Sequence, residues 1–236
     1  EAWRAKGDRV GVHEMRALAK PVADGGYARK VVPDGAVLLV MTADLQRDRL
    51  VWVVRAYGAG MRDTWLVDCG ETPSPEGDGL RGFDAAALWT FPMRSGDRRM
   101  RITAMGVDSG DGMRAKEVYD WSLRMRQRGV RAYPMKGVES AQMVTEVAEV
   151  HLAGSKLVTY RAVGLTLLKV NSQQMSDEIM ARARGQTLVT SETASDERAG
   201  LGAGGVFGLF ADVPAEYLAQ LTAVERRLID ADPRRK

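Results

Sequence analysis

Three apolar runs joined by very short turns constrain this chain more than any other feature. Ala36–Ala43 (AVLLVMTA), Leu50–Tyr57 (LVWVVRAY) and Thr64–Cys69 (TWLVDC) each read as a buried strand, being short, apolar and rich in β-branched or aromatic residues. The links between them turn at Arg47-Asp48 and at Gly58-Ala59-Gly60. Links this short cannot carry a crossover, so the three strands form an antiparallel meander. The pattern then changes. A Pro/Gly-rich loop, Thr72 to Gly82, precedes a short helix at Phe83–Trp89 and a fourth strand at Arg101–Val107. Met113–Arg128 is a helix: Val118, Trp121 and Met125 share one face, and Gly129 sits where such a helix ends. Val130–Met135 is a fifth strand, whose Pro134 is expected to leave the ladder or lie at an edge.

The later third is less regular. Val138 to Arg161 reads as an insertion without a clear period. Ala162–Val170 is a strand, and Gln174–Ala183 is a helix with Ser172 as candidate N-cap. Gly185 to Gly205 reads as a flexible loop, Val206–Phe210 as a short strand, and Pro214–Ile229 as a closing helix with Pro214 in its first turn. Three antiparallel strands followed by alternating helices and strands give an α/β fold with a mixed sheet flanked by helices. That order is the order of the RNase H-like fold. Residues 1–33 are polar and weakly periodic and read as a lead-in, residues 34–230 as the domain, and residues 231–236 as a disordered tail. The chain begins at Glu1 rather than Met, which points to a piece of a longer or processed chain.

Composition excludes several classes of function. The lone cysteine, Cys69, cannot form an intramolecular disulfide, and only His13 and His151 could join it at a zinc site. Its place in an apolar strand pattern makes it a buried spectator rather than a nucleophile. With two histidines, a Ser-His or Cys-His nucleophile set is not credible. No apolar run approaches the roughly 20 residues needed to span a bilayer, so no membrane partner is expected. No G-x-x-x-x-G-K-[ST] phosphate loop occurs. Gly200 to Gly208 (GLGAGGVFG) lacks the strand before it and the helix after it that a dinucleotide site requires. The net charge is only +3, but Arg94 to Lys136 holds eleven Arg or Lys against five Asp or Glu. A basic block inside a folded region suits a polyanion; it also suits a solvated helix face. Arg114, Lys116, Arg124, Arg126, Arg128 and Lys136 are the candidate DNA contacts in it.

Two aspartates carry the strongest chemical suggestion. Asp44 ends the first strand and Asp108 ends the fourth. An acid at the mouth of a buried strand costs desolvation unless it is paired or binds a cation. In an RNase H-like sheet the first and fourth strands are neighbours, so the two carboxylates would stand side by side. Their repulsion is relieved by a divalent cation, and oxygen ligands favour Mg²⁺ or Mn²⁺. Two such ions about 4 Å apart can drive phosphodiester hydrolysis. The alternative makes Asp44 a turn residue and Asp108 a helix N-cap.

These residues also carry a resemblance. Asp44, Gln46, Asp48, Arg49, Leu50, Gly58, Gly60, Trp65, Leu66 and Asp68 resemble, in order and spacing, the start of the nuclease domain of the lambda-type phage terminase large subunits. Val107-Asp108-Ser109-Gly110 followed by Val118-Tyr119, then Met135-Lys136-Gly137, and Pro214 to Thr222 are similar to later parts of that family. Glu1-Ala2-Trp3 is similar to the segment following its ATPase motor. The resemblance implies an RNase H-like, Mg²⁺- or Mn²⁺-dependent endonuclease, with two ions, that cuts concatemeric double-stranded viral DNA. It implies an ATPase motor domain preceding residues 1–33, a small terminase subunit, a procapsid portal, and the cytoplasm of a bacterial host. Asp44 and Asp108 match two of the family's metal-binding acids. The third is expected near Asn171 to Gln174, where only amides and a serine occur, and Ser176 stands where a lysine is usual. Asp177, about one helical turn on, is the candidate third catalytic and metal-binding acid, with Asp48 or Asp111 as substitutes; Asp177 and Glu178 also suit a plain helix surface. The missing acid leaves a second reading open, a catalytically degenerate RNase H-like module that grips DNA or docks on the portal. A transposase or resolvase of the same fold is a third.

Overall fold

A computed structural model of the chain describes residues 10–110, 113–138, 144–147, 165–185 and 205–223. The meander is present: β1 (Ala36–Leu45), β2 (Arg49–Gly58) and β3 (Thr64–Pro73) pair antiparallel in sequence. Each is longer than its apolar run, because the ladder continues through polar residues once the core-facing alternation is set. Two short elements follow. A 3-10 helix occupies Arg81–Leu88, and the short β4 (Thr90–Pro92) pairs only with the start of β5 (Arg99–Asp108).

Beyond β5 the chain winds as expected of alternating elements. Helix α2 (Ala115–Gln127) returns antiparallel to β6 (Arg131–Val138), which lies parallel beside β5. After the antiparallel edge strand β7 (Val144–Val147) comes β8 (Leu167–Asn171), parallel to β6. Helix α3 (Ser172–Ala183), the two-residue β9 (Phe207–Gly208) and α4 (Ala215–Thr222) complete the described chain. The sheet runs β7-β8-β6-β5-β1-β2-β3-β9. The fold is therefore a mixed α/β sheet with helices on its faces, and β1, β5, β6 and β8 point the same way at its centre.

Pro134 does not end its ladder: it pairs with Val107, and β6 is an interior strand. Strand β8 begins to pair with β6 only at Met135, so Pro134 sits where β6 has a single neighbour and its missing N–H breaks nothing on the second side. The α3 cap also differs from expectation. Asn171, not Ser172, is the N-cap, accepting from the amides of Gln173 (3.1 Å) and Gln174 (3.0 Å). The loop expected at Gly185 to Gly205 and the tail at 231–236 fall almost wholly outside the described residues.

Each face of the sheet has its own core. Leu39, Met41, Leu50, Val54, Met105 and Val107 pack with Val118, Trp121 and Met125 of α2 and with Phe83 of the 3-10 helix. The other face packs Leu66 and Cys69 against α3, α4 and a short helix, α1 (Val12–Ala17). Met15 of α1 is fully buried there, so α1 is docked on the sheet. Its six residues are too few for periodicity to announce them.

Candidate active site

The placement of Asp44 and Asp108 follows from strand register. Ala43 pairs with Val107 across the parallel β1–β5 ladder, and both are buried toward α2. Side chains alternate along a strand, so the next residues, Asp44 and Asp108, stand side by side on the opposite face, at neighbouring strand ends about 4.8 Å apart. A cleft of about 630 Å³ opens above them. It lies at the carboxyl ends of the parallel strands, the usual ligand position in open α/β sheets. Thr42, Asp44 and Gln46 line it from β1 and its turn, Val51 and Val53 from β2, and Asp108 from β5. Met135, Lys136 and Gly137 contribute from β6, Val170 and Ser172 from the β8–α3 junction, and Gln220 from α4.

Local contacts fix the acids. Gln46 donates through Nε2 to Asp44 Oδ2 at 3.4 Å, and the Gly110 amide donates to Asp108 Oδ1 at 3.1 Å. Ser109 ties the end of β5 to β6, its amide and hydroxyl both donating to the Met135 carbonyl at 2.8 Å. Burial pushes the Asp108 carboxyl above its ordinary range, and the Asp44 charge adds to this. The Gly110 and Ser109 amides and the Lys136 ammonium oppose the shift. Gly137 allows the close crossing of β6 and the α3 start: a Cβ there would meet Ser172 Oγ at 2.6 Å.

Among the described residues, no third acid lines the cleft. Asn171 holds the corresponding strand end, and its Oδ1 is spent on capping α3. Ser176 bonds the Ser172 carbonyl (2.8 Å). Asp177 lies on α3, part-buried, and is not among the residues lining the cleft. Asp48 does not line it either and pairs with Arg49 at 3.6 Å; Asp111 lies outside the described residues. Among the described residues no group of three or more His, Cys, Asp or Glu forms a metal-sized cluster. Among the described residues, Asp44 and Asp108 are the two carboxylates that line the cleft. Their chemistry, two carboxylates of which one is disfavoured as an anion by burial and by its neighbour, fits an oxygen-seeking divalent cation.

The basic block divides into parts with different surroundings. Arg114 is not a surface residue: it is 3% exposed, and its guanidinium is spent inside the protein. It donates to the carbonyls of Gln46 (3.0 Å), Arg47 (3.1 Å), Ser74 (2.9 Å) and Pro75 (3.3 Å), and pairs with Glu117 at 2.9 Å. It therefore anchors the turn after Asp44 and, contrary to expectation, presents no guanidinium surface to DNA. Lys116 is exposed and paired with Asp120. Arg124 and Arg128 share Asp84, at 2.8 and 3.2 Å, and Arg126 lies 5.7 Å from the Tyr133 ring. These three arginines cluster at the end of α2, near the start of β6. That places them at the opposite end of the sheet from Asp108. Of the six basic candidates, Lys136 alone lines the cleft.

Sequence reasoning missed Thr42, Ser172 and Gln220 as lining residues; nothing in their spacing announces that β1, α3 and α4 converge. Cys69 is buried as expected, and burial pushes its thiol up to about 11.

A family model described as "Terminase large subunit gpA, endonuclease domain" matches residues 1–235. Comparison with curated proteins gives no match, and comparison with solved structures gives none.

Proposed function

The chain belongs to the terminase large subunit endonuclease-domain family, a family of nucleases acting on DNA in packaging, and from that premise we propose that it cuts double-stranded DNA by metal-dependent phosphodiester hydrolysis at the Asp44–Asp108 cleft. One observation carries the reading: two carboxylates at neighbouring ends of parallel strands, facing the same cleft. The order β3-β2-β1-β5-β6, with only β2 reversed, supports an RNase H-like assignment. Asp44 and Asp108 would hold Mg²⁺ or Mn²⁺, which when bound supplies Lewis-acid charge to hydrolysis. Gln46 orients Asp44, the Gly110 amide orients Asp108, and Ser109 keeps β5 and β6 in register at the site. In the full packaging machine the partners are an ATPase motor domain, a small terminase subunit and the procapsid portal, in the host cytoplasm. No helix among the described residues is long and apolar enough to cross a membrane.

The place of Asn171 favours one rival, a DNA-gripping or portal-docking module without catalysis. Relaxation of supercoiled plasmid separates the two. The nuclease reading expects nicking that requires Mg²⁺ or Mn²⁺, stops with a chelator, and falls more than about 100-fold in Asp44→Asn and in Asp108→Asn. Retained DNA with no nicking under any cation favours the module. Nicking that survives both substitutions in folded protein refutes the site.

A further inference from the structure

Three arginines outside the cleft share the sheet face of the two acids. We propose that Arg99, Arg101 and Arg131 bind the phosphate backbone of duplex DNA about 20 Å from the Asp44–Asp108 pair, the open face of β5 and β6 being a track for DNA that flanks the cut. The inference rests on the DNA-cutting reading above and deepens it by naming a surface that holds substrate away from the reacting atoms.

Strand register fixes the face. On β5, Val107 and Met105 pack toward α2, so Asp108, Gly106 and Ala104 stand on the other side. The β1–β5 pairing skips Thr103, and beyond that bulge Ile102 and Met100 again pack with the α2 core. Arg101 and Arg99 therefore stand on the side of Asp108. On β6, Ala132 belongs to the α2 core and Arg131 pairs with Ala104, so Arg131 joins them. Gly106 checks the direction: a Cβ there would meet the Met135 side chain at 2.0 Å, and Met135 lines the cleft. On this side α3 and α4 pack over Val53 and Leu66 of β2 and β3. Between the acids and the arginines, Ala104 and Tyr133 are only part-buried and Thr103 is exposed.

All three arginines are exposed. Arg99 is oriented by Thr90, its Nε donating to Oγ1 at 2.8 Å and its Nη2 to the carbonyl at 2.6 Å. Among the described residues no hydrogen bond or ion pair engages the Arg101 or Arg131 guanidinium. Asp108 is the only carboxylate in the sequence of either strand. Neighbouring cations without a counter-charge suit a polyanion, and a guanidinium holds phosphate through two parallel N–H donors. The spacing favours DNA over an acidic polypeptide. With the bulged residue set aside, Arg101 lies about 20 Å along β5 from Asp108. A duplex rises about 3.4 Å per base pair, so one backbone spans that distance in about six.

Binding of a fluorescent random-sequence duplex in chelator, measured across salt concentrations, tests this. Replacing Arg99, Arg101 and Arg131 together by Gln should flatten the slope of log affinity against log salt by about 2.7, the share of three phosphate contacts. The three sites are exposed, so the melting temperature should hold. Single-turnover nicking at saturating DNA should stay within about threefold of the parent, while the DNA concentration for half-saturation rises. A photo-crosslinker on Thr103→Cys should capture the duplex at low salt; Cys69 is buried and stays unlabelled. A slope change below about 1, or no capture from Thr103→Cys, overturns the inference while leaving the nuclease reading standing. An unchanged slope with weakened binding of polyglutamate assigns the patch to an acidic polypeptide and likewise overturns it. A parent that binds DNA through these arginines yet nicks under no cation overturns the cutting reading instead and leaves the track.

Discussion

Arg114 offers the sharpest stability test, because its replacement by Met removes one charge from a buried network while keeping much of the side chain's bulk. Its guanidinium donates to four backbone carbonyls, between 2.9 and 3.3 Å, that belong to two loops otherwise far apart in sequence. It also forks onto Glu117, from Nε at 3.0 Å and Nη2 at 2.9 Å. Glu117 in turn accepts from the amides of Gly77 and Gly79, both at 3.3 Å. Arg114 pulls the Glu117 carboxyl below its ordinary range. Breaking a buried pair from one side costs about 3–5 kcal/mol, because the remaining charge and carbonyls lose their partner. With a urea slope of about 2–3 kcal/mol per M, the unfolding midpoint of Arg114→Met should drop by roughly 1–2.5 M. Glu117→Gln keeps an acceptor oxygen and should cost only about 1 kcal/mol. The assay is urea unfolding followed by tryptophan fluorescence. A loss below about 1 kcal/mol in Arg114→Met, the scale of one ordinary hydrogen bond, would refute the claim that this residue clamps the turn after Asp44 to the loop after β3.

Three further outcomes are expected. Because the folded pKa of Asp108 is raised, its contribution to stability is present below the unfolded carboxyl value and is lost as pH rises through the folded value; metal-free Asp108→Asn should therefore melt higher than the parent at pH 7, with the gap closing in acid, and a lower melting temperature at pH 7 would contradict this. Replacing Arg124, Arg126 and Arg128 together by Gln should change the salt slope of DNA binding by less than about 1, whereas three lost phosphate contacts would change it by about 2.7; binding titrations across salt concentrations decide. Asp177→Asn should nick plasmid within about threefold of the parent, while a loss comparable to a ligand substitution, above about 100-fold, would return Asp177 to the site.

The central strands and the acid pair were legible in the sequence because both rest on period-2 alternation. Runs such as Ala36–Ala43 declare a buried strand, and an acid one residue beyond such a run declares a strand end. The later parts were less legible for identifiable reasons. Arg114 sits in a basic block whose composition suggests a polyanion, and only the tertiary meeting of the β1–β2 turn with the loop after β3 reveals its internal partners. The arginines at the end of α2 were read together with Lys136 because they are close in sequence; a helix running back across the sheet puts them at its other end. Asn171 displaced Ser172 as cap because either residue type suits the position, and the choice depends on where β8 stops. Gln220 reaches the cleft from a helix some fifty residues beyond β8, a contact that no local pattern encodes.

If Asp44 and Asp108 share a cation site, diffraction from crystals soaked in Mn²⁺ reveals it. The expected result is an anomalous peak between the two carboxylates, at about 2.0–2.3 Å from an oxygen of each, that disappears in Asp44→Asn. A peak elsewhere in the chain with none at this pair, or carboxylates more than about 10 Å apart, well beyond the span of a metal site, would contradict it.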